Sequence, residues 1–232
     1  LAEHNDLVEF FKLFLYYFQY PGAHIKSRDV LEQIEAGIHF KPTQYILKLL
    51  KTAEENTGKR CGITKEEACY CIFNDLRCTR DNEDVVITWQ RIQRNRDLEI
   101  EYVADGDVTR YAGDILDYMQ HANLLVSYNN KEFFINHSEN EAILKYINST
   151  EWFSEYDTMI ANRSGTIQDV NDCRCDWFRY VNREAGETDF ATDITSFFAV
   201  ESEIPTEPES KMQLFAAYME KLKSLESLKT KD

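Results

Sequence analysis

The chain has 232 residues, 43% of them hydrophobic and 29% charged, with 13 tyrosines and 14 phenylalanines. That is enough apolar and aromatic material for one large or two small folded domains. The formal net charge is −15, which excludes a uniformly basic, phosphate-coating surface and confines any contact with nucleic acid to a local patch.

The acidity is uneven. From Glu139 to Glu209 there are 16 acidic and 5 basic residues, whereas Arg77 to Arg110 holds six arginines. An acidic body fits solubility or a basic protein partner. No apolar run reaches the ~20 residues of a membrane helix. Phe10–Tyr20 comes nearest, is flanked by Glu9 and Pro21-Gly22, and lacks a secretory cleavage site. Six cysteines in a large chain do not make a secreted disulfide framework. Cys69 and Cys71 fall on different faces of a helical pattern, and Cys173-Arg174-Cys175 has no zinc spacing. Buried or free thiols and a cytoplasmic location are expected. The opening Leu1 predicts a fragment or a processed product.

In chain order, Asp6 to Gln19 carries Leu7, Phe10, Phe11, Phe14, Leu15 and Phe18 on one helical stripe, stopped by Pro21-Gly22. Ser27 is placed to cap a helix from Arg28 to Ala36, with Gly37 as its stop. Pro42 opens a helix from Thr43 to Glu55 with Tyr45, Ile46, Leu49 and Leu50 inward. Thr64 and Glu67 form a capping box ahead of Ala68, Cys69, Ile72 and Phe73. Asp84 is placed to cap a helix from Val85 to Arg96. Leu98 to Val103 alternates and reads either as a short strand or as a helix continuation.

The segment from Arg110 to Asn136 is the most informative. An amphipathic helix, capped at Asp107, runs into two short β-runs, Leu124–Tyr128 and Lys131–Ile135, joined by Asn129-Asn130. Helices followed by a hairpin outline a winged helix, a shape often used to hold nucleic acid. Glu139 to Ile147 is a further helix; residues 151–200 are acidic and aromatic without a clear period. Glu201–Ser210 reads as a connector and Lys211–Lys223 as a last helix. The expected organisation is an N-terminal helical subdomain (1–58), a winged-helix-like domain (59–150) and an acidic irregular region with linker and C-terminal helix (151–232). The fold class is mainly α, a winged-helix core with flanking helical and irregular acidic segments.

Arg91, Arg94, Arg96 and Arg110 lie on or beside two helices. They suit phosphate contacts through the guanidinium fork, or form a solvated face paired with Asp97 and Glu99. Asn129, Asn130 and Lys131 make the wing tip, which fits a groove or serves as a plain turn. The five histidines have no ligand-spaced partners, and no glycine-rich phosphate loop or nucleophile motif is present. Glu139, Glu141 and Lys145 fall on a helix, where carboxylate–lysine pairing is the ordinary use. No catalytic residue, metal site or cofactor is expected in this chain.

Taken together, Phe18-Gln19-Tyr20-Pro21, IHFKPTQYILKLL, GITKEEACYCIF, RYAGDILDYMQHANLLVSYNNKEFFIN and NHSENEAILKYI resemble the middle region of type IIS restriction and nicking endonucleases of the AlwI kind. IPTEPESKMQLFAAYMEKL is similar to the segment that leads into their nuclease domain. The resemblance implies a DNA-recognition and linker fragment that docks on double-stranded DNA in restriction-modification and host defence. Hydrolysis would belong to a separate, magnesium-dependent nuclease domain absent from this chain. The alternative is an acidic winged-helix module for protein–protein interaction, or a DNA mimic, without catalysis.

Overall fold

The computed structural model describes residues 2–102, 106–128 and 131–182. Asn129, Asn130, the connector at 201–210 and the helix expected at 211–223 lie outside the described residues. Two compact units divide the chain at Gly186, and the described residues all belong to the first.

The first unit is mainly helical, with one small antiparallel sheet. Its helices are α1 (Ala2–Tyr17), α2 (Ser27–Glu35), α3 (Pro42–Thr57), α4 (Lys65–Ala68), α5 (Leu76–Thr79), α6 (Val85–Asp97) and α7 (Gly106–His121). After the hairpin come α8 (Asn140–Ile147), α9 (Asp157–Asn162), α10 (Ile167–Asp172) and α11 (Arg174–Asn182). The strands β1 (Gly62–Thr64), β2 (Leu125–Tyr128) and β3 (Glu132–Ile135) lie in the order β1-β3-β2.

Local chemistry explains most boundaries. Pro42 pre-sets the first turn of α3, and Gly58 ends it at φ +63°, a left-handed position that suits glycine. The Thr64 hydroxyl accepts from the Glu67 N–H at 3.1 Å while the Glu67 carboxylate accepts from the Thr64 N–H at 2.9 Å. This capping box starts α4, which widens into a π-turn over Cys69–Phe73. Ser27 does not cap α2. Its hydroxyl donates to Asn171 Oδ1 at 2.5 Å and accepts from Arg174 Nη2 at 2.9 Å, and Lys26 holds the cap position without a side-chain bond.

The hairpin register pairs Val126 with Phe134 and Ser127 with Phe133. Leu125, Phe133 and Ile135 therefore face the core, while Val126, Tyr128, Glu132 and Phe134 face outward. β1 joins β3 with Gly62 opposite Phe134. A Cβ at Gly62 would lie 2.6 Å from the Phe134 ring, so only glycine lets that ring and Glu132 close over the strand.

Two apolar cores result. The larger gathers Leu15, Ile46, Leu50, Ile63, Ile72, Ile92, Leu116, Phe133 and Ile143 from α1, α3, the sheet, α6, α7 and α8. The smaller gathers Tyr17, Val30, Ile34, Phe153, Tyr156, Val170 and Trp177. Each fully buried aliphatic side chain contributes about 2 kcal/mol of transfer free energy. α1 serves both cores because Leu15 and Tyr17 sit on different faces. Buried Gln19 joins them: its amide donates to the Phe153 carbonyl at 3.1 Å and its oxygen accepts from the Phe153 N–H at 2.8 Å.

One expectation is corrected, and one open alternative is narrowed. The stretch expected to be irregular carries three helices within 157–182, α9, α10 and α11, and they wall the second core. Two of these helices have six residues, too few to display a period. Leu98–Tyr102 forms no strand: Leu98 ends α6, and Glu99 follows at φ +50°.

Candidate nucleic-acid interface

A straight helix turns about 100° per residue. Arg91, Arg94 and Arg96 on α6 thus leave it in three directions, and the structure gives each a different environment.

Arg91 points inward, with 16% of its side chain exposed. Its Nη2 lies 3.1 Å from Asp75 Oδ2 and donates to the Cys71 carbonyl at 2.9 Å, and its Nη1 donates to Glu83 Oε2. Glu83 also accepts from the Thr88 hydroxyl at 2.8 Å, which sits 2.7 Å from Tyr45 Oη. Burial disfavours the Arg91 charge, but the Glu83 hydrogen bond and the Asp75 charge more than offset it and hold the guanidinium above its ordinary pKa.

Arg96 turns onto the outer side of the sheet. It meets Glu67 with two hydrogen bonds of 2.6 and 2.7 Å, donates to the Gly62 carbonyl at 2.9 Å, and lies 3.4 Å from Glu132. Glu67 is the carboxylate of the capping box, so one side chain ends a strand, starts a helix and anchors α6. The hydrogen bonds to Glu67 raise the Arg96 pKa.

Arg94 is exposed on the outer face of α6 and makes no ion pair among the described residues. Arg110 is exposed near the start of α7, its guanidinium carbon 5.1 Å from the Tyr111 ring centroid. Lys131 is exposed at the turn before β3. The geometry therefore commits Arg91 and Arg96 to internal carboxylates and leaves Arg94, Arg110 and Lys131 at the surface.

Sequence reasoning missed Arg60. It lies on the outward sheet face, its guanidinium carbon 5.2 Å from the Tyr128 ring and 5.3 Å from Phe134. It donates to Tyr128 Oη at 3.0 Å and to the Ile135 carbonyl at 3.2 Å. These contacts fix the fork while Arg60 stays exposed, which reduces the entropy lost when it meets a ligand. Exposed Lys59 adjoins it. A cavity of about 410 Å³ opens beside them, lined by Lys51, Lys59, Arg60 and His137, with Glu54 and Glu55 as counter-charges. His137 Nε2 lies 3.1 Å from Glu54. The only sequence signal is Lys59-Arg60 just before a strand, and that strand has just three residues.

The face around β3 and the adjoining end of α3 thus carries a stacked arginine, lysines, a histidine and the exposed Tyr128. Arginine suits phosphate oxygens through paired donors, and an exposed aromatic offers a stacking surface.

Residues 1–178 match the family model "Restriction endonuclease BpuJI - N terminal". No curated protein sequence matches the chain. Among solved structures, the fold resembles the BpuJ1 endonuclease binding domain, crystallised in complex with pyrene- and phenanthrene-modified DNA, with a TM-score of 0.62 at 24% identity. The likeness covers 78% of this chain and 65% of that one, so the present chain spans about two thirds of its structural relative. With its family model matched across more than half of its length, the chain belongs to the BpuJI N-terminal restriction endonuclease family.

Proposed function

We propose that this chain binds duplex DNA as the recognition and linker part of a type IIS-like restriction endonuclease, with cleavage in a separate nuclease domain. The observation that carries the proposal is membership of the BpuJI N-terminal family; the DNA complex of the structural relative supports it. The division of labour is that of the AlwI kind, and we place the enzyme in the cytoplasm as a host-defence activity. Among the described residues no helix is long and apolar enough to cross a membrane. No three His, Cys, Asp or Glu side chains gather into a metal site there.

The finer fold reading is a winged helix built from α3, β1, α4, α7, β2 and β3, flanked by the other helices. The sheet order β1-β3-β2, with the hairpin directly after α7, supports it. On this reading α3 joins the 59–150 domain, and residues 151–182 pack with α1 and α2. Arg60, Lys59, Lys131, Arg94 and Arg110 contact the duplex, with Asn129 and Asn130 at the wing tip. Arg91 and Arg96 hold the scaffold. The carboxylates over those two arginines also favour a second reading, an acidic protein-interaction module.

Charge-reversal variants test the choice. Arg60→Glu combined with Lys131→Glu should weaken binding to a duplex by about tenfold or more at ~50 mM salt, with each lost phosphate contact lowering the salt slope by about 1. Unchanged affinity in that variant contradicts the assigned surface. Absence of binding by the parent chain at the same salt favours the protein-interaction module.

A further inference from the structure

An open cleft of about 900 Å³ lies between the second half of α1, the connection after it, and the outer side of α7. It shares only Arg110 with the duplex-facing residues proposed above.

The walls of the cleft are aromatic. Ring centroids of Phe18 lie 5.0 Å from Phe14, 5.1 Å from Tyr20 and 4.6 Å from His24, and Tyr118 stands edge-on to Phe14 at 6.1 Å. His24 is exposed, and Phe14, Tyr20 and Tyr118 are half-buried, so several rings border open space as well as core. The wall is firmly built. Gln19 is clasped to Phe153, and a Cβ at Gly22 would fall 2.7 Å from the Gln19 carbonyl and 2.9 Å from Trp177. The segment Phe18-Gln19-Tyr20-Pro21 thus shapes this wall.

Lys26 and Arg110 stand on the rim with Asp29 and Asp114. Arg174 also lines the cleft, its Nη2 held by the Ile25 carbonyl and the Ser27 hydroxyl at 3.2 and 2.9 Å. Open rings stack on a flat heterocycle. An ammonium group suits a phosphate, and carboxylates accept from exocyclic amines. The volume falls in the range of small-molecule pockets, roughly 300–1,000 Å³.

We propose that the cleft binds one unpaired nucleotide, its base against Tyr20, His24 and Tyr118 and its phosphate at Lys26. The nucleotide is either extruded from bound DNA, in which case the inference rests on the duplex-binding reading, or free in solution, in which case it does not.

Two probes separate these sources: a fluorescent aminopurine deoxynucleoside monophosphate, and a duplex carrying aminopurine in a single-nucleotide bulge beside its fully paired counterpart. Extrusion predicts a preference of about tenfold for the bulge, lost in Lys26→Ala and in Tyr118→Leu. A free-nucleotide site predicts saturable monophosphate quenching, competed by unlabelled nucleotide and weakened about tenfold by the same variants, without bulge preference. Lys26 is exposed, so its variant carries the test if Tyr118→Leu fails to fold. Neither response, or responses that both variants leave unchanged, overturns the cleft assignment. Paired-duplex affinity in the same titrations keeps the readings apart. Duplex binding without either nucleotide response removes only the cleft, and monophosphate binding without duplex binding removes only the DNA reading.

Discussion

Replacing Arg91 by alanine removes a cation shared by two carboxylates and a carbonyl. Asp75 and Glu83 have side chains only 11% and 14% exposed, so water replaces little of what is lost. Deleting one member of a buried ion pair costs about 3–5 kcal/mol. The remaining contacts set the lower end of that range here: Asp75 keeps Arg77 at 2.6 Å and Glu83 keeps the Thr88 hydroxyl at 2.8 Å. We expect a loss of about 3 kcal/mol. Urea unfolding followed by tryptophan fluorescence reads it directly, because Trp89 lies on the same helix. With a slope of about 2 kcal/mol/M the midpoint should fall by roughly 1.5 M. Folded Arg91→Ala should bind duplex DNA with an affinity within about twofold of the parent, if Arg91 touches no phosphate. A midpoint shift below about 0.3 M with a tenfold loss of DNA affinity would refute the structural role.

Other expectations rest on the same geometry. Arg94→Ala should change stability by less than about 0.5 kcal/mol, since the side chain is exposed, yet lower duplex affinity and the salt slope by one phosphate contact. Gly22→Ala should destabilise by about 1–3 kcal/mol, because the new methyl meets backbone and the Trp177 ring; a melt unchanged within a degree contradicts this. The Asp75 carboxyl is raised by burial but lowered more by the Arg77 hydrogen bonds and the Arg91 charge, leaving it below its ordinary pKa. Its contribution to stability is therefore fully present above the unfolded value of about 3.9 and fades as pH falls below it. The stability gap between the parent and Asp75→Asn should narrow in urea titrations taken below about pH 4, and a gap that widens there reverses the sign of the linkage.

Features written in local chemistry are legible without the fold. Pro42, the Thr64–Glu67 box and the alternation in β2 and β3 act within a few residues, so spacing alone locates them. β1 is not legible, because a three-residue strand shows no period and takes its register from Phe133 and Phe134, about seventy positions away. Helices α9 and α10 escape notice for the same reason of length; their stability comes from Tyr156 and Val170 in the second core.

The candidate site is less legible than the fold. Arg91, Arg94 and Arg96 look alike in sequence, and only tertiary partners separate them: Arg96 meets Glu67 29 positions away, and Arg91 meets the Cys71 carbonyl 20 positions away. Arg60 rests on Tyr128, 68 positions along the chain. The dibasic step Lys59-Arg60 is visible, but nothing local distinguishes it from an ordinary solvated turn.

The most direct test of DNA recognition is the affinity of this chain for duplex DNA as a function of salt. Three to five phosphate contacts from Lys59, Arg60, Arg94, Arg110 and Lys131 predict a log–log slope between about −3 and −4.5, and a slope about 2 shallower for Arg60→Glu with Lys131→Glu. A parent slope near zero, or no measurable binding at ~50 mM salt, would contradict recognition of DNA by this surface.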